Sequence, residues 1–401
     1  MNFLRKRRGD DDSGLVDENS RHKSKKPANT AFKQQRLKSW QPILTPKSVL
    51  PLLLVIAVIF APLGIVMLLA SYNVQQIVID YSKCSSLATS SYNSIGKKYY
   101  TQHFKQSSNT SPSWKITNKT VTVDSDNSYD TQVCSIQFTV PNSIDGPIYM
   151  YYKLTNFYQN HREYANSYDL SQLKGVAVSA GDVSSECSPL AKNSEGKAYY
   201  PCGLIANSYF NDTFSSPVLL NPQGSESEQN YTMSTTGISW SSDVNMYKNT
   251  EYSPSDVVPP PNWHKRYPNG YTDSNMPDIS QDELFQNWMR VAGLPSFMKL
   301  VGKNTNDTLD DGNYRVDIEL NYPTSIFGGK KYFVLTTNSV LGGRNLSLGI
   351  AYLVTAAICV LFGIIFLMKQ IISPRKIGDN KYLDFNKGEQ AGGGRGFRDI
   401  L

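Results

Sequence analysis

Two apolar runs decide what this chain can be. Residues 49–70 (VLPLLLVIAVIFAPLGIVMLLA) and 346–368 (LSLGIAYLVTAAICVLFGIIFLM) contain no charged side chain. A helix of either length, rising about 1.5 Å per residue, spans a hydrocarbon core about 30 Å thick. The chain is therefore expected to cross a membrane twice. The first run is a poor cleavable signal: 48 residues precede it, it exceeds a usual signal core, and Leu68 stands where a small residue is wanted ahead of Ala70. We read it as an anchor that is retained.

Charge sets the orientation. Of the 40 Lys and Arg, 12 lie in residues 1–48 and 7 in residues 369–401. With their acidic residues counted, these flanks carry +7 and +3, and the stretch between the runs carries −4. Basic flanks belong in the cytosol. The expected order is a cytosolic tail 1–48 with a membrane-proximal arm 32–46, a span 49–70, an ectodomain 71–345, a span 346–368 and a cytosolic tail 369–401. The ectodomain is then lumenal or extracellular. The basic overall balance is the sum of two tails, so it gives no ground for a nucleic-acid partner.

Cysteine and glycosylation signals agree with that compartment. Cys84, Cys134, Cys187 and Cys202 lie between the runs, and Cys359 lies alone inside the second. Four cysteines in an oxidising compartment allow three connectivities. Pairing neighbours, Cys84 with Cys134 and Cys187 with Cys202, closes the shorter loops and is favoured. Asn-x-Ser/Thr occurs at Asn109, Asn118, Asn211, Asn230, Asn306 and Asn345, all between the runs. Asn345 abuts the second run, too near a bilayer for a glycosylating enzyme, and is expected to stay bare.

The segment between the spans is long enough for its own core, and its patterning is mainly β. In residues 314–323 Tyr314, Val316, Ile318, Leu320 and Tyr322 alternate with polar residues. CSIQFTV from Cys134 and KKYFVLTT from Lys330 read as further strands of an antiparallel, half-buried sheet. A helix is signed by Ser280 as N-cap, Glu283 completing a capping box, Leu284 and Trp288 on one face and Gly293 as a stop. Residues 221–236 and the PPPNW run 259–263 are expected to be extended surface arms. The fold class is a two-span membrane protein with a mainly antiparallel, sandwich-like ectodomain.

No catalytic constellation emerges. The sequence has no G-x-S-x-G, H-E-x-x-H or P-loop, no C-x-x-C, and four scattered histidines. GGGRG at 392–396 reads as flexible linker. No catalytic, metal or cofactor site is expected, and the spans lack the ionisable residues that mark ion paths. They do carry small residues four apart: Ala57 with Ala61, Ser347 with Ala351, and Cys359 with Gly363. Such pairs let a second helix approach closely. Pro62 with Gly64 predicts a bend in the first span.

Several long strings carry a resemblance: NTAFKQQRLKSWQPILTPKSVLP, NFYQNHREY, YYPCGLIANSYFNDTF, VPPPNWHKRYPNGYTD, FQNWMR and ELNYPTSIFGGKKYFVLTTNSVLGGRN. From about Asn29 to the tail the chain resembles the cell-division-control-50 and ligand-effect-modulator family, the non-catalytic β-subunits of type IV P-type ATPases that flip phospholipids. The fungal Golgi and endosome branch looks nearest, through PRKIGDNKYLDF and the terminal RDIL. The resemblance implies the same two disulfides, a glycan on Asn211, and a catalytic ATPase chain and membrane lipids as partners. The chain departs from the family string at Tyr209, where the family has Met, which reads as a surface-scale change. The D-K-T-G signature of the pump's phosphorylated Asp is absent.

The arm 32–46 fits this setting. Phe32, Arg36, Trp40, Pro42 and Pro46 are expected to run along the cytosolic surface, with Trp40 at headgroup depth and basic side chains reaching lipid phosphate or the partner. The two prolines should end any helix there. Two other classes share the two-span, glycosylated layout. Ligand-gated channel subunits would want more cysteines and polar pore-lining residues, and an adhesion or receptor ectodomain would need no polytopic partner.

The topology makes a direct prediction. Peptide mapping after enzymatic deglycosylation should find modified asparagine at Asn109, Asn118, Asn211, Asn230 and Asn306 and none at Asn345. Modification at Asn345 without modification at Asn211 would overturn the orientation.

Overall fold

The computed structural model describes residues 28–39, 45–107, 109–123, 127–222 and 227–374. It divides into one unit of residues 54–362 and a second that holds the two chain ends.

The first apolar helix runs Pro46–Tyr72 and the second Ser347–Ile372. Both are long and apolar enough to cross a bilayer. Pro46 does not end a helix, as the sequence reading had it; it opens one. Thr45 precedes it, and the Thr45 N–H donates to Ser48 Oγ at 3.1 Å, while Pro46 takes the first helical position, where its missing N–H costs nothing. The helix is continuous through Pro62. Asn345 Oδ1 accepts from Ser347 N at 3.0 Å and starts the second helix.

Between the helices, fourteen strands among the described residues form two large sheets and one small one. In chain order they are β1 Gln76–Asp80, β2 Asn93–Ser94, β3 Tyr100–His103, β4 Ser113–Thr122, β5 Ser128–Val140, β6 Ile148–Leu154, β7 Ala198–Tyr199, β8 Thr213–Phe214, β9 Val218–Leu220, β10 Gln229–Asn230, β11 Val257–Val258, β12 Phe297–Asn304, β13 Gly312–Leu320 and β14 Lys331–Thr337. One sheet has the order β12-β6-β14-β1-β3, the other β10-β9-β13-β5-β4-β2 with β8 also on β13. All pairs in both are antiparallel, and only the small β7–β11 pair is parallel.

The alternation of side chains creates the interior. Tyr314, Val316 and Ile318 of β13 and Cys134, Ile136 and Phe138 of β5 are buried from one sheet. Ile77 and Ile79 of β1 and Phe333 and Leu335 of β14 are buried from the other. Rings meet across the layers, with Phe138 5.9 Å and Phe214 6.3 Å from Phe333. The mainly antiparallel sandwich expected from the pattern is the observed one. Cys84, just after β1, is bonded to Cys134 of β5, so this bridge staples the two sheets, and Cys187 is bonded to Cys202.

Three local expectations are corrected. The 283–289 helix is capped by Asp282, which accepts from Phe285 N at 2.9 Å, whereas Ser280 is held by Asp278. Glu283 closes no capping box; its carboxylate accepts the backbone N–H groups of Gly237, Ile238 and Ser239 at 2.7–2.8 Å. The helix stops at Met289, before Gly293. The PPPNW run is no surface arm: Pro259 and Pro260 are buried, 261–263 is a 3-10 turn, and Trp263 Nε1 donates to Ala206 O at 2.9 Å. Within 221–236, β10 joins a sheet and Tyr231 and Met233 are buried. Aromatic and apolar side chains inside polar runs pulled both segments onto the core.

One buried ion pair joins the layers. Lys331 Nζ of β14 lies 2.7 Å from Asp212 Oδ2, ahead of β8. The same oxygen accepts from Tyr81 Oη at 2.9 Å, and Oδ1 accepts Asn321 N and Tyr322 N at 2.6 and 2.7 Å. Removing one partner of such a pair typically costs about 3–5 kcal/mol. Asp212→Asn, which preserves the N-x-T signal, and Lys331→Met should each lower the thermal midpoint in mild detergent strongly. Their combination should cost less than the sum, and additive losses would show the pair to be uncoupled.

Buried titratable groups predict an alkaline optimum. Lys299 is pushed down to about 8 by burial and by the charge of Arg290, while its Nζ donates to Asn287 O at 2.8 Å. The unfolded chain binds the extra proton between about pH 8 and the free lysine value near 10.4, so stability should rise with pH across that window. Tyr81, Tyr152 and Tyr209 are pushed up chiefly by burial, so the folded chain holds their protons above pH ~10 and stability should fall there. Melting curves across this range should show the rise, and Lys299→Met should flatten it.

Candidate partner-facing surfaces and a cleft

The two apolar helices meet along small residues. Ala57, Gly64 and Ser71 are buried on the first helix and Gly349, Ala356 and Cys359 on the second. The fit is close: a Cβ at Gly64 would come 2.9 Å from Leu353, and one at Gly349 would come 2.7 Å from Leu68. Phe60 packs on Tyr352 at 4.9 Å, and Ser71 Oγ donates to Asn345 O at 2.9 Å. Ala57 and Cys359, expected to admit another helix, are therefore used within this chain. Ser347 and Ala351 remain exposed beside Ile350, Val354 and Ile358. On the first helix Leu54, Val58, Leu63, Val66 and Leu69 are uncovered as well. These outward faces fit lipid or the helices of a larger bundle.

The arm is described in part. Phe32 lies in a turn over residues 31–35 and is 76% exposed. Arg36 closes the turn through its N–H to Ala31 O at 2.7 Å, and its guanidinium contacts Asn29 Oδ1. Trp40 and Pro42 lie outside the described residues.

The sequon asparagines are placed differently from one another. Asn109, Asn118, Asn230 and Asn306 are exposed. Asn211 is half-buried, and its Oδ1 is buried with no hydrogen-bond partner among the described residues. It lies on the wall of a cleft of about 670 Å³, between the 209–214 loop, the 262–267 turn, the 274–285 segment and the start of β5. Tyr209 is on that wall too, 6.0 Å from Trp263 and 5.6 Å from Phe285. Its ring is packing material, which corrects the reading of this position as a surface-scale change.

Lys265 lies 5.0 Å over the Tyr129 ring and donates to Asn321 Oδ1 at 2.8 Å, and burial pushes its ammonium down. Burial likewise pushes Asp282 up, against the hydrogen bond from Phe285 N. Among the described residues no three His, Cys, Asp or Glu converge as metal ligands.

Sequence reasoning missed the buried charges, Lys331 with Asp212 and Lys299 with the carbonyls of Asn287 and Arg290. The signal was present. Lys331, Phe333 and Leu335 share one face of β14, and Phe297, Lys299 and Val301 share one face of β12, so each lysine stands at an inward position.

Comparison with known proteins places these features. The family model of the LEM3 (ligand-effect modulator 3) family / CDC50 family matches residues 67–376. The phospholipid-transporting ATPase accessory subunit CRF1 of Saccharomyces cerevisiae is 47% identical over 376 residues, covering 94% of this chain and 93% of the relative. The phospholipid-transporting ATPase accessory subunit CDC50 of Chaetomium thermophilum is 39% identical, covering 97% and 98%. Cell cycle control protein 50A of Mus musculus is 37% identical, covering 86% and 89%. With a matching family model across the ectodomain and both relatives and chain covered nearly end to end, this chain belongs to the LEM3/CDC50 family.

Proposed function

We propose that this chain is the non-catalytic accessory subunit of a phospholipid-transporting P-type ATPase, supporting movement of aminophospholipids to the cytosolic leaflet and vesicle traffic from Golgi or endosome. The observation that carries the reading is similarity to named accessory subunits over 94% of the chain, both apolar helices included. The proposed boundaries are a cytosolic tail 1–48, an ectodomain 71–345 on the lumenal or extracellular side and a cytosolic tail 369–401.

The uncovered faces of the two helices offer contact to the catalytic chain within the bilayer. The sandwich would cover that chain's lumenal loops, and the arm, with Phe32 and Arg36, would meet it or lipid phosphate on the cytosolic side. A subunit biases a pump's cycle only by binding some of its conformations more tightly than others. Contacts on both faces of the membrane would allow that. They would also explain a requirement for the subunit during folding and endoplasmic-reticulum exit of the catalytic chain.

Affinity purification in mild detergent should recover a type IV P-type ATPase with this chain. Deleting the subunit should abolish inward transport of labelled phosphatidylserine or phosphatidylethanolamine and leave the catalytic chain in the endoplasmic reticulum. Joint replacement Phe32→Ala and Arg36→Ala should lower transport more than neutralising Arg5, Arg7 and Arg8. Unchanged transport and trafficking in a deletion strain without a redundant paralogue would replace this reading with a receptor or adhesion role.

A further inference from the structure

We propose that the turn between β14 and the second apolar helix is a lipid-facing foot of the ectodomain. Val340 and Leu341 enter the leaflet on the ectodomain side, and Arg344 takes the phosphate of a phospholipid there. The inference needs the two membrane-crossing helices and does not depend on a catalytic chain.

Hydrogen bonds fix the level of this turn. β14 ends at Thr337, whose N–H donates to Gln75 O at 2.9 Å, just past the end of the first helix at Tyr72. On the return, Asn345 O accepts from Ser71 Oγ at 2.9 Å. Residues 338–344 therefore leave and rejoin the fold where the first apolar helix emerges. Tyr72 marks the same level: it is 60% exposed, with its ring edge-on to His103 at 4.9 Å, and tyrosine favours the boundary between acyl chains and water.

The turn is built to leave water at low cost. Ser339 and Gly342 exchange both backbone hydrogen bonds, at 2.8 and 2.9 Å, with Gly342 at a φ of 95°, and Ser339 Oγ accepts from Leu341 N at 3.2 Å. Polar backbone groups that are already paired carry little penalty on entering an apolar medium. The pairing leaves Val340 fully exposed and Leu341 47% exposed at the tip. Two apolar side chains held outward at this level are buried if the tip lies at the headgroup and acyl boundary.

Arg344 supplies the polar half of the site. It is half-buried, its Nε is buried with no hydrogen-bond partner among the described residues, and none of the ion pairs among those residues includes it. A planar guanidinium matches a phosphate bidentately. The order along the chain, apolar tip and then cation, reproduces the order of a leaflet from acyl chain to phosphate.

The test puts a probe at the tip. Full-length chain, with any catalytic chain that co-purifies, is reconstituted in nanodiscs of phosphatidylcholine and phosphatidylserine. In a Cys359→Ala parent, a nitroxide on Val340→Cys should collide several-fold more often with oxygen than with a water-soluble nickel chelate. A nitroxide on Leu294→Cys should show the reverse, because Leu294 is 70% exposed just ahead of β12, at the end of the β12-β6-β14 ladder far from Thr337. A benzophenone on the same Val340→Cys variant should capture lipid. Phospholipid carrying a diazirine beside its phosphate should label residues 338–346 of the otherwise unaltered chain. Arg344→Gln should reduce that labelling several-fold, and Arg344→Lys, which keeps the charge, should retain most of it.

Aqueous collision values at position 340 would overturn the proposal. So would labelling that Arg344→Gln leaves unchanged, or benzophenone capture of a protein chain in place of lipid, which would make the turn a protein contact. No readout depends on transport, so failure here leaves the accessory-subunit reading standing.

Discussion

The fold depends on a carboxylate that two sheets share. Asp212 accepts four hydrogen bonds, from Tyr81 Oη, Lys331 Nζ, Asn321 N and Tyr322 N. That uses about every lone-pair direction a carboxylate has. Lys331 is treated as fully: besides Asp212 it donates to Tyr322 O at 2.8 Å and lies 5.2 Å over the Tyr81 ring. Burying two charges is unfavourable unless every remaining donor and acceptor is met, and here they are met. Tyr81 follows β1 and Lys331 opens β14 in one sheet, while Asp212 precedes β8 and Asn321 follows β13 in the other. The network therefore fixes which strand ends of one sheet face which strand ends of its partner, a specificity that apolar contact alone lacks. It also explains why β13 stops at Leu320, since the next two backbone N–H groups are taken by Asp212 in place of a neighbouring strand.

How much of this was legible in the sequence depended on whether a signal was periodic or convergent. The spans, the strands around Cys134, Tyr314 and Phe333, and the buried Trp288 follow from spacing alone, because burial on one face imposes period 2 or 3.6 on hydrophobicity. Asp212 was hidden for a different reason. It is the middle residue of Asn-Asp-Thr, a position the glycosylation signal leaves open, and its partners come from 109 to 131 residues away. The inward lysines were readable as problems without being readable as solutions. Alternation in KKYFVLTT puts Lys331 inside with Phe333, but nothing local names the carboxylate it needs.

The polar-looking segments failed in the same way. Runs such as 259–263 and 221–236 have the composition of surface loops. Composition does not reveal that Trp263 can reach Ala206 or that Tyr231 Oη can reach Asp307 O at 2.8 Å. Glu283 is the instructive inversion. The spacing Ser-x-x-Glu matched a capping box, but the carboxylate found three convergent backbone N–H groups at 237–239, a better-satisfied site than the one N–H a capping box offers, and Asp282 took over the cap.

The first helix joins the sandwich through a short link, which bears on how an accessory chain could act. β1 begins four residues after the first helix ends, and β14 is its neighbour, with Gln76 opposite Thr336. Gln75 O accepts Thr337 N at 2.9 Å, and Ser71 of one helix is bonded to the chain just ahead of the other. The helix ends are thus tied to adjacent central strands of one sheet, and the glycine contacts Gly64–Leu353 and Gly349–Leu68 continue the pairing into the apolar segment. A partner that grips the sandwich also fixes the azimuth of the helix pair at its sheet-proximal end. Chain entropy at that junction has been spent during folding of this subunit, so little remains to be lost on association. Such preorganisation favours discrimination between two conformations of a neighbour, because the two helices present their uncovered faces as a pair already packed together.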